Sequence, residues 1–340
     1  MSNLESSLQE AVSNIIIGGF NGQTVPEDFR KLLADGMVGG AILFSRNIDS
    51  IQQVDTLVRS LRNIRSDVWM AIDQEGGRVQ RLKAPFPQLP PMREISSLVE
   101  AQRAATVLAQ GLNLLGFDQD YAPVLDVDTN PDNPVIGDRS FSSDATRVAE
   151  LGCTFIQALQ AGGIAACGKH FPGHGDTSTD SHLELPRLEH DLERLKNVEL
   201  VPFRAATKAG LASLMTAHVL FAPLDAEHPA TLSEHFIEPI LRTEMAYDGV
   251  VVSDDLEMKA VADHYGIEDA VVRSLNAGCD QILICSDTVR QAQAYEAIIH
   301  ALEKGTIKKE RIQEAGRRVQ AMKDRYQPLA AKLTGLNQAG

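Results

Sequence analysis

The segment from Gly168 to His182, GKHFPGHGDTSTDSH, is unusually rich in side chains that can bind metals or transfer protons. It contains three histidines, two aspartates and three glycines in fifteen residues. Histidine at this density is typical either of a metal site or of a site for proton transfer. The two interpretations require different partner residues elsewhere in the chain.

A helical zinc motif is excluded by the residues between the first two histidines. His170 and His174 have the spacing of the HExxH motif, but Phe171, Pro172 and Gly173 between them cannot continue a helix. A loop-built metal site of the amidohydrolase type would instead draw its ligands from several segments, and it stays open as an alternative. Its candidate ligands are His170, His174, His182 and Asp254.

Proton transfer fits a further acidic segment, GVVVSDDL, near residue 250. Retaining glycoside cleavage needs a carboxylate that attacks the sugar and a second group that protonates the leaving oxygen. If the segment is a strand, alternation places Val250, Val252 and Asp254 on one face and Asp255 on the other. We therefore expect only Asp254 to point inward as a nucleophile.

The elements that would position these residues form a repeating pattern of strands and helices. Eight short runs rich in β-branched residues predict strands: SNIIIGGF, GGAILFSRN, WMAIDQEGG, DQDYAPVLDV, GIAACGKHF, ASLMTAHVLF, DGVVVSDDL and CDQILICSD. Amphipathic stretches between them predict helices, such as residues 51–64, 145–163, 192–210 and 288–305. Eight such units favour an α/β fold with one (β/α)8 barrel over an open sheet.

We expect residues 1–340 to form this one barrel domain, with residues 306–340 as an exposed final helix and a frayed tail. In such barrels the active site lies at the carboxyl ends of the strands. The predicted strand ends carry Asp73, Lys169, His170, His218, Asp254 and Asp255, and the loop after strand four carries Arg139. A single polar residue in a loop is more often a helix cap. Polar residues at the ends of several strands together favour an active site.

Composition excludes several classes of partner. A formal net charge of −14 and a pI near 5.1 argue against a surface for nucleic acid or anionic membranes. The four cysteines form no CxxC pair, which indicates free thiols in a reducing compartment. Glu5 and Glu10 stand where a secretory signal would be basic, and no run of about 18 apolar residues occurs. We expect a cytoplasmic protein.

Five segments together resemble glycoside hydrolase family 3, and within it the bacterial β-N-acetylglucosaminidases of the NagZ type. They are AIDQEGGRVQRL, APVLDVD, IGDRSFSSD, KHFPGHGDTSTDSH and GVVVSDDLEM, in the order expected for the family. The resemblance implies that Asp254 is the nucleophile and that His182, paired with Asp180, is the acid/base. It also implies that the sugar hydroxyls are bound by Asp73, Arg81, Arg139, Lys169 and His170.

Some positions carry a structural alternative. Arg81 could equally lie on a solvated face, because Arg78 and Lys83 are close in sequence. His174, Asp176 and His218 match less specific family positions, and we expect them to have loop or wall roles. Trp69 begins a strand, so we expect it in the core instead of stacked on a sugar.

The resemblance implies a retaining exo-β-N-acetylglucosaminidase (a β-N-acetylhexosaminidase) that releases terminal GlcNAc from GlcNAc-anhydroMurNAc muropeptides during peptidoglycan recycling. A β-glucosidase or β-xylosidase of the same family is the alternative among enzymes, and a barrel that binds sugar without hydrolysis is the alternative outside them. We expect a small-molecule carbohydrate as the partner, a monomer, no metal and no cofactor.

Overall fold

Eight parallel strands close into one barrel in the computed structural model, which describes residues 6–181 and 183–327. Each strand pairs with the next along the chain, and the eighth pairs with the first. The (β/α)8 barrel predicted from the sequence is confirmed. The strands are β1 Ile16–Gly18, β2 Gly40–Leu43, β3 Trp69–Ile72, β4 Gln119–Asp120, β5 Ala165–Phe171, β6 Ser213–Thr216, β7 Val250–Asp255 and β8 Gln281–Ile284.

Helices surround the barrel on its outside. In chain order they are α1 Ser6–Ser13, α2 Glu27–Ala34, α3 Ile51–Ile64, α4 Leu98–Leu114, α5 Ala145–Ala161, α6 Leu192–Asn197, α7 Leu200–Lys208, α8 Lys259–Ala262, α9 Ile267–Ala277, α10 Thr288–Lys304 and α11 Lys309–Tyr326, with a π-helical segment over Ile237–Glu244. Several of these helices have an N-cap side chain that accepts a backbone N–H of the first turn. Examples are Ser50 before α3 and Asp144 before α5.

One predicted helix is interrupted. The amphipathic stretch 192–210 forms two helices, α6 and α7, which are separated at Val198 and Glu199. The reason is Pro202, which has no N–H to donate to the carbonyl of Val198 in a continuous helix. A helix that starts at Leu200 places this proline in its first turn, where no N–H is needed.

Trp69 lies in the core inside the barrel, as predicted. Its side chain is buried, and its indole N–H donates to Oε1 of Gln119 at 2.6 Å. Ile17, Ile42 and Val252 from other strands belong to the same apolar cluster. A second and larger cluster fills the space between the barrel and its helices.

The C-terminal helix predicted after Thr306 is present as α11, but one of its faces is buried. Helix α11 buries Val319, Met322 and Tyr326 in the cluster that fills the barrel. The ammonium of Lys323, also in α11, lies 3.0 Å from Oδ1 of Asn14, two residues before the start of β1. This helix therefore covers the amino end of the barrel, and its tail after residue 327 lies outside the described residues.

The carboxyl ends of the strands face the opposite end of the barrel. None of the helices in residues 6–181 and 183–327 is long and apolar enough to cross a membrane.

Candidate active site

A cavity of about 360 Å³ opens at the carboxyl ends of the strands, and we call it the C-terminal cavity. The side chains predicted to bind the sugar all line it: Asp73, Arg81, Arg139, Lys169 and His170. The predicted nucleophile Asp254 lines it as well, and so does Asp180, the predicted partner of His182. His182, the predicted acid/base, lies outside the described residues.

Five of the charged side chains in and below the cavity form an ion-pair network. The ammonium of Lys169 lies 2.8 Å from Oδ1 of Asp73 and 2.6 Å from Oε1 of Glu75. Arg139 binds both oxygens of Glu75, at 2.8 and 2.9 Å. Nη2 of Arg81 lies 3.4 Å from the other oxygen of Asp73. Two acids therefore alternate with three cations.

The network keeps its members charged although they are buried. Burial opposes the charge of Lys169, but Asp73 and Glu75 outweigh that effect and raise the pKa of its ammonium. Burial likewise opposes ionisation of Asp73, and Lys169 with Arg81 outweighs it and lowers the pKa of that carboxyl. The pKa of Glu75 is lowered against burial by Arg139 and Lys169. The network can therefore present fixed charges to a ligand.

Glu75 is a member of the site that the sequence analysis missed. Its side chain is 1% exposed, and it holds the two cations Lys169 and Arg139 in place. A tight hairpin after β3 positions it, with Gln74–Gly76 antiparallel to Val79–Gln80. Gly76 turns the hairpin at φ +120°, where an added Cβ would lie 2.6 Å from the carbonyl oxygen of Pro90. Its place two residues after the strand-end Asp73 could have indicated it.

Asp126 is the second residue that was missed, and it holds the end of β5. Its buried carboxylate accepts the backbone N–H of His174 at 2.7 Å and lies 2.7 Å from Nδ1 of His170. Burial opposes its ionisation, but His170 and these hydrogen bonds lower the pKa of the carboxyl. The ring of His170 is thereby fixed at the wall of the C-terminal cavity.

His174 has the loop role expected for it. Its Nδ1 lies 2.8 Å from Oγ1 of Thr177 and its Nε2 lies 3.0 Å from Oγ of Ser181. Burial and the neighbouring His170 lower the pKa of His174 to about 4. A neutral ring with both nitrogens hydrogen-bonded is poorly suited to donate a proton or to bind a metal. The described residues contain no group of three or more His, Cys, Asp or Glu that could hold a metal ion.

The end of β7 departs from the predicted alternation. Val250 and Val252 point into the barrel, but Asp254 and Asp255 both line the C-terminal cavity. The reason is a shift in the pairing of β7 with β8 between Val252 and Asp255. The expectation that only one aspartate points inward is therefore wrong.

The two carboxyl groups at this strand end have different surroundings. Oδ1 of Asp254 accepts the backbone N–H of Asp255 at 2.8 Å. Oδ1 of Asp255 accepts the N–H groups of Glu257 at 3.0 Å and Cys285 at 3.2 Å. Burial, the carboxylate of Glu257 and that of Asp254 raise the pKa of Asp255 to about 7. Near neutral pH Asp255 therefore holds its proton for part of the time.

His218 and Asp176 also have wall and loop positions. Nε2 of His218 lies 3.0 Å from the backbone carbonyl oxygen of Asp255, and its Nδ1 lies 2.8 Å from Oγ1 of Thr231. Asp176 accepts the hydroxyl of Thr129 at 2.7 Å and pairs with Nε2 of His190 at 2.9 Å. His218 thus supports the backbone beside Asp254, and Asp176 anchors the histidine-rich loop.

A family model described as "Glycosyl hydrolase family 3 N terminal domain" matches residues 8–322. The chain belongs to this family. A family relative named "Beta-hexosaminidase", from Thiobacillus denitrificans, is 40% identical over 275 residues, which are 78% of this chain and 76% of that protein.

Solved family 3 structures share the barrel. A family 3 β-N-acetylglucosaminidase from Paenibacillus sp. str. FPU-7 superposes with a TM-score of 0.91 at 41% identity, over 94% of this chain and 62% of that chain. This chain therefore spans less than two thirds of the Paenibacillus protein. NagZ from Neisseria gonorrhoeae, solved in complex with N-trifluoroacetyl-D-glucosamine, superposes with a TM-score of 0.76 at 31% identity, over 93% of this chain and 98% of that chain.

The raised pKa of Asp255 predicts how stability depends on pH. Between about pH 4 and 7 the unfolded chain releases a proton that the folded protein keeps, because the pKa in the fold is about 7. The free energy of unfolding of the wild type should therefore fall as the pH rises through this range. Relative to that of Asp255→Asn, it should fall by up to about 1.4 kcal/mol per pH unit. Urea unfolding of both proteins between about pH 4 and 8 measures this difference.

Asp248→Asn is a suitable control, since hydrogen bonds from Arg317 and Arg318 lower the pKa of Asp248 out of this range. Its stability difference from the wild type should stay constant above about pH 5. A constant difference for Asp255→Asn as well would contradict the prediction.

Proposed function

We propose that the protein is a retaining β-N-acetylhexosaminidase that removes terminal β-linked GlcNAc from carbohydrate chains. The observation that carries the proposal is the lining of the C-terminal cavity, which contains Asp254 together with five side chains able to bind sugar hydroxyls. Membership of glycosyl hydrolase family 3 and similarity to a protein named "Beta-hexosaminidase" support this activity.

The proposed reaction has two steps. In the first, a carboxylate oxygen of Asp254 bonds to the anomeric carbon, the glycosidic bond breaks, and His182 gives its proton to the departing oxygen. In the second, His182 takes a proton from water, whose oxygen bonds to the anomeric carbon and releases Asp254. Asp180, which lines the cavity, would orient the imidazole and favour its charged form.

The ion-pair network would hold the sugar for this chemistry. Arg81 and Lys169 are donors, and Asp73 is an acceptor, so neighbouring hydroxyls can each be bound in one orientation. Their mutual ion pairs fix these groups before the sugar arrives, which reduces the entropic cost of orienting it. Asp255 lies beside the nucleophile, and its raised pKa limits a second negative charge there.

We propose muropeptides that carry GlcNAc-anhydroMurNAc as the physiological substrates, in peptidoglycan recycling. The support is the resemblance of KHFPGHGDTSTDSH to the loop of NagZ-type enzymes and the likeness to NagZ from Neisseria gonorrhoeae. The cytoplasmic location and the monomeric state expected from the sequence stay predictions.

A panel of chromogenic β-glycosides separates this function from its alternatives. We expect kcat/KM for the β-GlcNAc glycoside to exceed that for the β-glucoside and β-xyloside by at least about 100-fold, because a site built for the acetamide leaves polar groups unpaired without it. Higher values on the glucoside or xyloside would identify the other enzymes of the family. Sugar binding without turnover would identify a binding barrel.

Asp254→Asn should lower kcat by at least about 10⁴-fold with little change in thermal unfolding, since the covalent route is lost. A mechanism-based fluorosugar should label Asp254 in the wild type, as mass spectrometry of a protease digest would show. Asp255→Asn is the matched control on the same strand end. In this variant the fluorosugar should label Asp254 as it does in the wild type. Inactivation by Asp255→Asn with full activity in Asp254→Asn would reverse the assignment.

The acid role of His182 is tested with aryl glycosides of graded leaving-group pKa. His182→Ala should slow substrates with poor leaving groups far more than activated ones, because a stable phenolate needs little protonation. Asp180→Asn should give a weaker form of the same defect. An equal loss for every leaving group would show that His182 does not protonate the departing oxygen.

A further inference from the structure

We propose that Asp126 is a positioning residue that fixes the tautomer of His170, so that Nε2 of this ring faces the sugar without depending on the sugar for its orientation. This role rests on the proposed function, in which His170 binds a sugar hydroxyl. Asp126 itself does not line the C-terminal cavity, so it would act only through its neighbours.

The hydrogen-bond donors around Asp126 determine which ring nitrogen carries the proton. Nδ1 of His170 lies 2.7 Å from Oδ2 of Asp126. An ionised carboxylate only accepts hydrogen bonds, so Nδ1 must carry a hydrogen. Burial opposes ionisation of Asp126, but His170 and His174 lower the pKa of its carboxyl, which keeps it an acceptor. Nε2 is then the ring nitrogen that is left for the sugar.

This arrangement matters because the neighbouring cations of the cavity supply hydrogen-bond donors and no acceptor. Lys169 and Arg139 carry donors only, and both already bind Glu75. In its neutral form, with the hydrogen on Nδ1, the ring of His170 offers an acceptor at Nε2 to this side of the cavity. The opposite tautomer would replace that acceptor with a further donor, and a hydroxyl that donates there would lose its partner.

The backbone predicts the orientation that an asparagine would take at this position. The N–H of His174 donates to Oδ1 of Asp126 at 2.7 Å, whereas the N–H of His170 lies 3.2 Å from both carboxylate oxygens. In Asp126→Asn the N–H of His174 would keep the amide oxygen in the place of Oδ1. The amide nitrogen would then face Nδ1 of His170 and donate to it, so the ring hydrogen would move to Nε2. The same inversion occurs in serine proteases when the triad aspartate becomes asparagine.

The test is nitrogen-15 NMR of histidine-labelled protein, titrated to a pH at which the nitrogen shifts of His170 are those of the neutral ring. The His170 signals are assigned from their loss in His170→Asn. We expect hydrogen on Nδ1 in the wild type and on Nε2 in Asp126→Asn. We also expect kcat/KM for a β-GlcNAc glycoside to fall about 100-fold in Asp126→Asn, as for a buried polar group left unpaired.

Asp118→Asn is the matched control. Asp118 is also fully buried, and it accepts a backbone N–H from Met70 and a guanidinium from Arg62 at the amino end of the barrel. It should lose stability, yet keep the His170 tautomer and kcat/KM close to wild type. A role of Asp126 in folding alone would make the two variants behave alike.

Several outcomes would overturn the proposal. One is a hydrogen on Nε2 of His170 in the wild type, which decides the matter even if Asp126→Asn does not fold. Others are an unchanged tautomer in the folded variant, or an inverted tautomer with unchanged kcat/KM. Because the NMR measurement uses no substrate, an error in the proposed glycosidase activity would not affect it.

Discussion

A buried ammonium is the constraint on which the ion-pair network of the C-terminal cavity depends. The side chain of Lys169 is 2% exposed, and such a charge is stable only beside opposite charges. Asp73 and Glu75 supply them, and they in turn bind Arg81 and Arg139. Each member is thus held by at least one other: removal of Asp73 would break the ion pair of Arg81, and removal of Glu75 would break that of Arg139. The same ion pairs that stabilise this end of the barrel also preorganise the groups that face a ligand.

The charge pattern of the cavity differs from that of the whole chain. The chain carries a formal net charge of −14, whereas the network combines three cations with two acids. Across the cavity, Asp254 and Asp255 lie side by side on β7. Two adjacent carboxylates repel each other, and the pKa of Asp255, raised to about 7, relieves part of that repulsion. Asp254 and the ion-pair network therefore line the same cavity.

The sequence predicted the strands and their polar ends well, because the residue pattern of each strand is a local signal. The repeated order of strand and helix then indicated the barrel. It predicted the cavity position of Lys169 and Asp73 for the same reason. It failed where side-chain direction depends on distant partners. The inward turn of Asp255 follows from its pairing with β8, and the burial of Glu75 follows from a hairpin that folds over the strand end. Asp126 lies in a loop, where no periodicity indicates that it binds the end of β5.

The histidine-rich segment combines a rigid part and a loop that is anchored to it. Asp126 binds His170 through its ring and His174 through its backbone, so the chain leaves β5 from a fixed point. The ring of His174 then reaches Ser181, directly after Asp180, and brings the two ends of the loop together. The three histidines of the segment therefore need not share one chemical role. His170 belongs to the wall of the cavity and His174 to the support of the loop, and the proposed function assigns proton transfer to His182.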